Sequence, residues 1–266
     1  MSNTLLLTWT INPYKDIKAQ WYPHKIDIKT RLSEYIDAII YYISNSNFTH
    51  IIFCENSNYS IPPQDLEIIN STCDYYNKDF ELLQFVSNHT EIKNRWYNYW
   101  EGECIDYAFE NSRFLKKAKS WYKITWRYKY RNINDIINEW ENQEWYFYRF
   151  SFPWLYWCVS AIFKCNNEIY EEYLYNAKNL VDYRSPTWVR SYEMIVFYKL
   201  RPILSKLPPI KTIPIFHNEM KRKHFTFRLF SNYIYLSRYI WHRWWLIDRF
   251  YNIFWNFYCR TRLKLK

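Results

Sequence analysis

Glycine is almost missing from this sequence. The chain of 266 residues contains a single one, Gly102, where average usage of about 7% predicts roughly 19. No P-loop and no G-x-G-x-x-G is therefore legible, and no Ser-His-Asp order stands out. Long apolar runs are absent too: no stretch of about 18 uncharged apolar residues exists, which argues against a membrane-spanning helix. The segment Met1–Leu7 carries no basic stretch and no cleavage site, so no signal peptide is expected. Cys54, Cys73, Cys104, Cys158, Cys165 and Cys259 are scattered, with no C-x-x-C. That pattern disfavours a zinc site or a disulfide framework and fits a reducing cytoplasm.

What fills the gap is aromatic. There are 15 Trp, ordinarily among the rarest residues, and Trp plus Gly comes close to the glycine expectation alone. Ile, Lys, Asn, Tyr and Phe, the products of AT-rich codons, are abundant, yet AT-rich drift does not enrich UGG. The counts point to UGA codons that the source organism reads as glycine. Trp100, in Tyr-Trp-Glu-Gly-Glu, stands where a glycine turn is expected before a helix. Trp126 follows a strand-like run, and Trp244-Trp245 would be a Gly-Gly pair. A genuinely tryptophan-rich protein is the alternative, and the codons at Trp9, Trp100 and Trp126 decide between the two.

At 49% apolar and 23% charged, the composition is that of a globular chain with enough length for a sizeable core. Thr4–Thr10 reads as a buried first strand. Asp27–Ser44, with Ile28, Leu32, Tyr35, Ile36, Ile39 and Ile43 at helical spacing, predicts an amphipathic helix. His50–Cys54, Phe80–Val86 and Ser120–Thr125 read as further strands. Gly102–Ala118, Asn166–Leu180 and Val189–Leu200 read as helices. This alternation predicts an α/β fold with a mostly parallel sheet.

Charge divides the chain. Residues 221–266 hold 11 Lys/Arg against Asp248, a net of +10, while the preceding 220 residues hold 25 of each sign. Pro202, Pro208, Pro209 and Pro214 lie between. The expected domains are a body over 1–215 and a basic aromatic helical tail over 216–266. In the tail, Ser231, Arg238, His242, Arg249, Asn256 and Arg260 share one helical face, with Leu229, Leu236, Ile240, Ile247, Tyr251, Phe254 and Tyr258 opposite. A basic amphipathic helix of this kind suits an anionic membrane surface. Packing against the body is the alternative. Nucleic acid ranks below membrane, because the body shows no RNA-binding module.

Open α/β sheets bind ligands beyond the carboxyl ends of their strands. Four loops qualify: Ile11–Tyr14, Glu55–Tyr59, Asn94–Glu103 and Thr125–Arg131. With the adjoining strand they offer Asn12, Glu55, Asn56, Ser57, Glu101, Glu103, Lys123 and Arg127, a polar rim suited to a phosphorylated ligand. Solvated loop charge is the plain alternative for Glu55 and Glu101.

The blocks Leu5–Pro13, Arg31-Leu32-x-x-Tyr35, Ile52–Ser57, Tyr99–Ala108, Glu110–Ser112 and Tyr122–Tyr128, in this order, resemble a family of bacterial capsule and lipopolysaccharide glycosyltransferase-like proteins. The resemblance covers roughly residues 4–200. In that family the positions of Trp100 and Trp126 are typically glycine. It implies a Rossmann-like nucleotide-sugar fold of the GT-A kind, and transfer of a sugar from a nucleotide-sugar donor to a cell-surface polysaccharide or lipid-linked glycan. A cytoplasmic location, peripheral on the inner face of the membrane, would follow.

Many GT-A enzymes hold a divalent cation with Asp-x-Asp, which this chain lacks. Glu101-Gly-Glu103 is the nearest acidic pair for Mg²⁺ or Mn²⁺, the alternative being two glutamates favoured at a helix N-terminus. Without a metal, Lys123 and Arg127 are the expected counter-charges to the leaving diphosphate, unless they are surface charge on Lys116–Lys129. An inverting enzyme also needs a base for the acceptor hydroxyl, and Glu193 is the candidate, on an acceptor side running from Trp154 to Glu193. A plain helix-surface acid is its alternative. The rival reading from another class is a non-catalytic basic module that binds membrane or nucleic acid through 221–266.

Overall fold

The computed structural model describes residues 3–12, 27–88, 90–91, 97–125, 128–152, 155–181, 192–204 and 212. The expected tail, Arg127, Trp126 and Trp154 lie outside them. The chain divides into two compact units, Met1–Arg149 with Trp157–His217, and Phe150–Tyr156 with Asn218–Lys266. Nearly all described residues belong to the first.

The described residues form an α/β structure on a mixed six-stranded sheet. Its strands are β1 (Thr4–Trp9), β2 (His50–Glu55), β3 (Asp79–Gln84), β4 (Ser120–Thr125), β5 (Tyr146–Phe152) and β6 (Leu155–Asn166), in the order β3-β2-β1-β4-β6-β5. β1 pairs in parallel with both β2 and β4, and β2 with β3, whereas β4 and β6 are antiparallel. The continuous apolar run of β1 is explained by its central place, where both faces are covered and every residue is buried.

Helices α1 (Ile28–Asn45), α2 (Pro63–Tyr76) and α5 (Ile133–Trp140) cover the face carrying Leu5, Leu7, Ile51, Phe53, Tyr122 and Ile124. Helices α3 (Tyr97–Asn111), α4 (Arg113–Lys117) and α6 (Tyr192–Leu204) belong to the other, with Leu6, Ile52, Cys54 and Trp121. Because side chains alternate along a strand, the odd and even residues of β1 feed separate cores. The chain therefore runs outward from β1 through α1 and α2, then returns through α3 to β4 on β1's other side. The carboxyl ends of β1 and β4 flank this reversal, the place where open α/β sheets leave a crevice.

Local chemistry sets the element ends. Asp27 caps α1, accepting from Thr30 N at 3.3 Å. α2 begins at Pro63 and ends on Asn77 in the left-handed region, φ 53°. The described residues with positive φ are Asn58, Asn77 and Asn176. In this chain asparagine does the work usually left to glycine.

Two expected helices differ in detail. The one expected over Gly102–Ala118 starts earlier and is broken at Ser112, whose Oγ accepts from Phe114 N and Leu115 N, both at 3.1 Å, and so starts α4. Trp100 is accordingly buried inside α3 rather than in a turn before it. The helix expected over Asn166–Leu180 is instead a short turn, a wide π-helical turn over Tyr170–Leu174 and a 3-10 turn over Ala177–Leu180. Buried Asp106 reshapes it. Its carboxylate accepts from Tyr170 Oη at 2.5 Å and Asn176 N at 3.3 Å, and contacts the Lys178 ammonium. Helix α6 runs through Pro202 to Leu204, so that proline is helical and not yet connector. α2, α5, β5 and β6 had no counterpart in the sequence reading.

The lone glycine sits where no side chain fits. A Cβ on Gly102 would lie 2.8 Å from Lys178 Cβ and 2.9 Å from the Tyr192 ring. Tryptophans are used unequally. Trp121 is fully buried with its Nε1 donating to Asn167 Oδ1 at 3.0 Å. Trp140 stacks between Tyr122 and Tyr146, at centroid distances of 6.0 and 4.7 Å. Trp9, at the end of β1, is pressed to a 3.4 Å centroid distance from Tyr35, closer than the roughly 4.5–7 Å of ordinary aromatic pairs.

Candidate functional site

The polar residues after β2 serve the loop itself. Glu55 ends β2 and is 0% exposed, not a solvated charge. Its Oε1 accepts from Ile11 N at 3.0 Å and Ser57 N at 2.9 Å and contacts Ser57 Oγ; its Oε2 accepts from Tyr59 N at 2.9 Å. Asn56, also 0% exposed, accepts from Thr10 Oγ1 at 2.6 Å and donates to Ser87 Oγ at 2.7 Å. Ser57 Oγ accepts from Asn12 N at 3.1 Å. These contacts tie the ends of β1 and β2 together. Expected as ligands, Glu55, Asn56 and Ser57 have their polar atoms occupied by backbone and neighbours; Asn12 stays exposed beside them.

At the end of β4 the structure gathers residues far apart in sequence. Lys123 and Thr125, two apart on β4, face the same side as α3 and α6. The Lys123 ammonium contacts Glu101 Oε1 and Thr125 Oγ1 and donates to the Ser160 carbonyl at 2.6 Å. Thr125 Oγ1 also contacts Glu101 Oε1 and lies 3.1 Å from the Ser160 carbonyl. Ser160 Oγ is 3.0 Å from Glu101 Oε2 and 3.3 Å from Glu193 Oε1. One ammonium, two hydroxyls and two carboxylates thus meet from α3, β4, β6 and α6.

Lys123 departs from its expected place. It is 0% exposed and lies within the strand, not as an open cation at its end. Burial pushes its ammonium well below the ordinary lysine value, and the nearby Glu193 charge partly opposes this. The side chain is thus an internal counter-ion to Glu101. Glu193 is partly buried at the start of α6 and joins the cluster through Ser160.

The Glu101-Gly-Glu103 pair does not converge. At i and i+2 of a helix the side chains diverge by about 200°. Glu101 turns to Lys123, while Glu103 Oε1 accepts from Asn88 N at 3.2 Å. Among the described residues no group of three or more His, Cys, Asp or Glu is placed to hold a metal ion. The described cysteines Cys54, Cys73, Cys104 and Cys165 are buried free thiols, and burial raises Cys104 and Cys165 well above the ordinary range.

Beside the crevice, buried Arg31 donates from Nη2 to the Thr10 carbonyl at 3.1 Å and from Nε to Tyr35 Oη at 3.0 Å; Tyr35 Oη donates to the same carbonyl at 3.0 Å. Composition and spacing assigned Arg31 no role. Its signal was a cation on α1's apolar face, between Ile28 and Leu32. Thr125, though inside the block Tyr122–Tyr128, was given no role, and Ser160 was missed because it belongs to no motif.

The chain matches no protein-family model, and no curated protein matches it in sequence. No helix among the described residues is long and apolar enough to cross a membrane.

Proposed function

We propose that this protein is a nucleotide-sugar-dependent glycosyltransferase with a GT-A-like body over residues 1–215, extending a surface or lipid-linked glycan. The observation that carries this reading is the convergence of Glu101, Lys123, Thr125, Ser160 and Glu193 at the carboxyl end of β4, beside the reversal of strand order. Such crevices take nucleotides, and a transferase needs a carboxylate poised at one rim. The residue blocks that resemble capsule glycosyltransferases run through α3 and β4, and so include Glu101, Lys123 and Thr125.

In this reading the nucleotide lies over the ends of β1 and β2, where Arg31 places buried positive charge. Arg127 remains the counter-charge to the leaving diphosphate. Glu193 takes the proton from the acceptor hydroxyl as its oxygen attacks the anomeric carbon. The bond from that carbon to the diphosphate oxygen breaks, and its electron pair leaves with the nucleoside diphosphate. Lys123 pairs with Glu101 within the fold. Residues 221–266, with their net +10, would hold the enzyme on an anionic membrane surface at the cytoplasmic face.

A thermal-shift series with UDP- and GDP-sugars tests the reading. A bound donor at a hundred times its Kd adds about 2.7 kcal/mol of stability. Glu193→Gln should keep that stabilisation while transfer falls by about 100-fold or more. No stabilisation by any sugar nucleotide, with binding to anionic vesicles that disappears on deleting 221–266, would favour the basic-module rival. The charge partition is the observation behind that rival.

A further inference from the structure

We infer that Ser160 is a positioning residue for the base of this site: its hydroxyl holds Glu193 in both the carboxylate and the carboxylic-acid form. The inference rests on the transferase reading above, and it follows from counting donors and acceptors.

Lys123 has three N–H donors, and the structure gives each an oxygen: Glu101 Oε1, Thr125 Oγ1 and the Ser160 carbonyl. The ammonium therefore has no donor left for Glu193. Glu101 is supplied on Oε1 by the ammonium and the Thr125 hydroxyl. Its Oε2 and the Oε1 of Glu193 both face the same Ser160 hydroxyl, at 3.0 and 3.3 Å. A hydroxyl carries one hydrogen and two lone pairs, so it donates to one carboxylate at a time.

The two orientations of that hydrogen match the two ends of a proton transfer. Before the step, Ser160 donates to the Glu193 carboxylate and fixes its direction. During the step, the acceptor O–H bond breaks and its proton passes to Glu193. Glu193, carrying that proton on Oε1, then turns it from the acceptor oxygen to a lone pair of Ser160 Oγ, and the Ser160 hydrogen turns to Glu101 Oε2, which remains supplied by Lys123 on its other oxygen. No proton leaves the trio, and no carboxyl is left without a partner. The burial of Ser160 keeps water from substituting for this hydroxyl. Its carbonyl, bonded to Lys123 at 2.6 Å, fixes the backbone from which the hydroxyl turns.

The test uses the full chain with UDP- and GDP-sugars, reading release of UDP or GDP in the presence of acceptor. Ser160→Ala should lower kcat by roughly tenfold or more with donor KM within about twofold, because it removes both donor and acceptor. Ser160→Thr, which keeps the hydroxyl, should restore kcat to within about threefold. In a Glu193→Gln background, Ser160→Ala should add little, since a residue acting through another has nothing left to position. Wild-type kcat in Ser160→Ala overturns the inference while leaving the transferase reading intact. So does a Thr variant as slow as the Ala variant, or a full additive loss in the Gln background. A wild-type chain that neither gains stability from these nucleotides nor releases UDP or GDP overturns both.

Discussion

Two strand ends of one sheet draw carboxylates wholly or partly out of solvent, and their hydrogen bonds are built differently. At the end of β2, Glu55 is fed by three backbone N–H groups, from Ile11, Ser57 and Tyr59, and by one side-chain hydroxyl, that of Ser57. At the end of β4, Glu101 and Glu193 are fed by an ammonium and two hydroxyls from β4 and β6. Backbone donors are fixed by the path of the chain, so the first arrangement, three parts backbone, holds a loop. Side-chain donors rotate and exchange partners, so the second can follow a moving proton. Burial of a carboxylate therefore identifies neither; the source of its donors does.

The sharpest way to break this contrast is Lys123→Ala. It leaves the partly buried Glu101 beside hydroxyls alone, which should cost about 3 kcal/mol in urea unfolding. It should also lower transfer at least about tenfold in a kinetic assay, and adding Glu101→Gln should recover more than half of the lost stability. A cost below about 1 kcal/mol would mean the ammonium is effectively solvated.

Glu55→Ala comes next. It strips three amides of their acceptor, and a loss of about 2–3 kcal/mol is expected. Hydrogen exchange should then quicken at Ile11, Ser57 and Tyr59 and stay unchanged in α6. Exchange spreading into α6 would show that the two strand ends are one coupled unit.

Gly102→Ala probes the spacing of the β4 cluster, because Gly102 adjoins Glu101 and lets α3 approach Lys178 and Tyr192. Despite alanine's better helix propensity, a net cost of about 1–3 kcal/mol is expected, read from the denaturation midpoint. Trp9, in register with Glu55, probes the β2 end. Removing a well-packed indole costs about 3–5 kcal/mol. If position 9 is read as glycine in the source organism, Trp9→Gly should cost less than about 1 kcal/mol and raise sugar-nucleotide affinity. UGG codons at Trp9, Trp100 and Trp126 would end that proposal.

The smallest effect is a pH dependence from a third buried group. Lys164 donates to the carbonyls of Trp140 at 2.7 Å and Glu141 at 3.3 Å, capping the end of α5. Burial lowers its ammonium from 10.5 to about 8, with Glu141 partly opposing. Below pH 8 both folded and unfolded chains carry the proton, and the cost of burying the charge is fully felt. Between about 8 and 10.5 the folded chain sheds it first, so the unfolded state binds more protons and this group makes stability rise with pH. The difference in unfolding midpoint between wild type and Lys164→Met should shift in favour of wild type from pH 7 to 9.5; a constant difference would remove Lys164 as a source of the pH dependence.

Much of the frame was legible. The strands β1, β2 and β4 announce themselves as short apolar runs, and Ser120–Thr125 has the bounds read from sequence. α1 follows from its spacing and its Asp27 cap. α2 is less legible because its outward residues include Ile68, Tyr75 and Tyr76, which are exposed and blur the periodicity. The break at Ser112 needed a capping hydroxyl, and the irregular turns of 167–180 needed the pull of Asp106 from α3.

For the site, sequence order alone selected Glu101, Lys123 and Glu193 as polar residues near strand ends and on a late helix. It could not say that they touch. By itself the sequence determined the alternation of strands and helices, because hydrophobic period is a local property of the chain. The partition of charge between body and tail is likewise a matter of counting. Only the tertiary structure decided that Glu55 closes a loop while Glu101 meets an ammonium. Strand order, and the antiparallel entry of β6 carrying Ser160 to the end of β4, are set by long-range pairing that no local window contains.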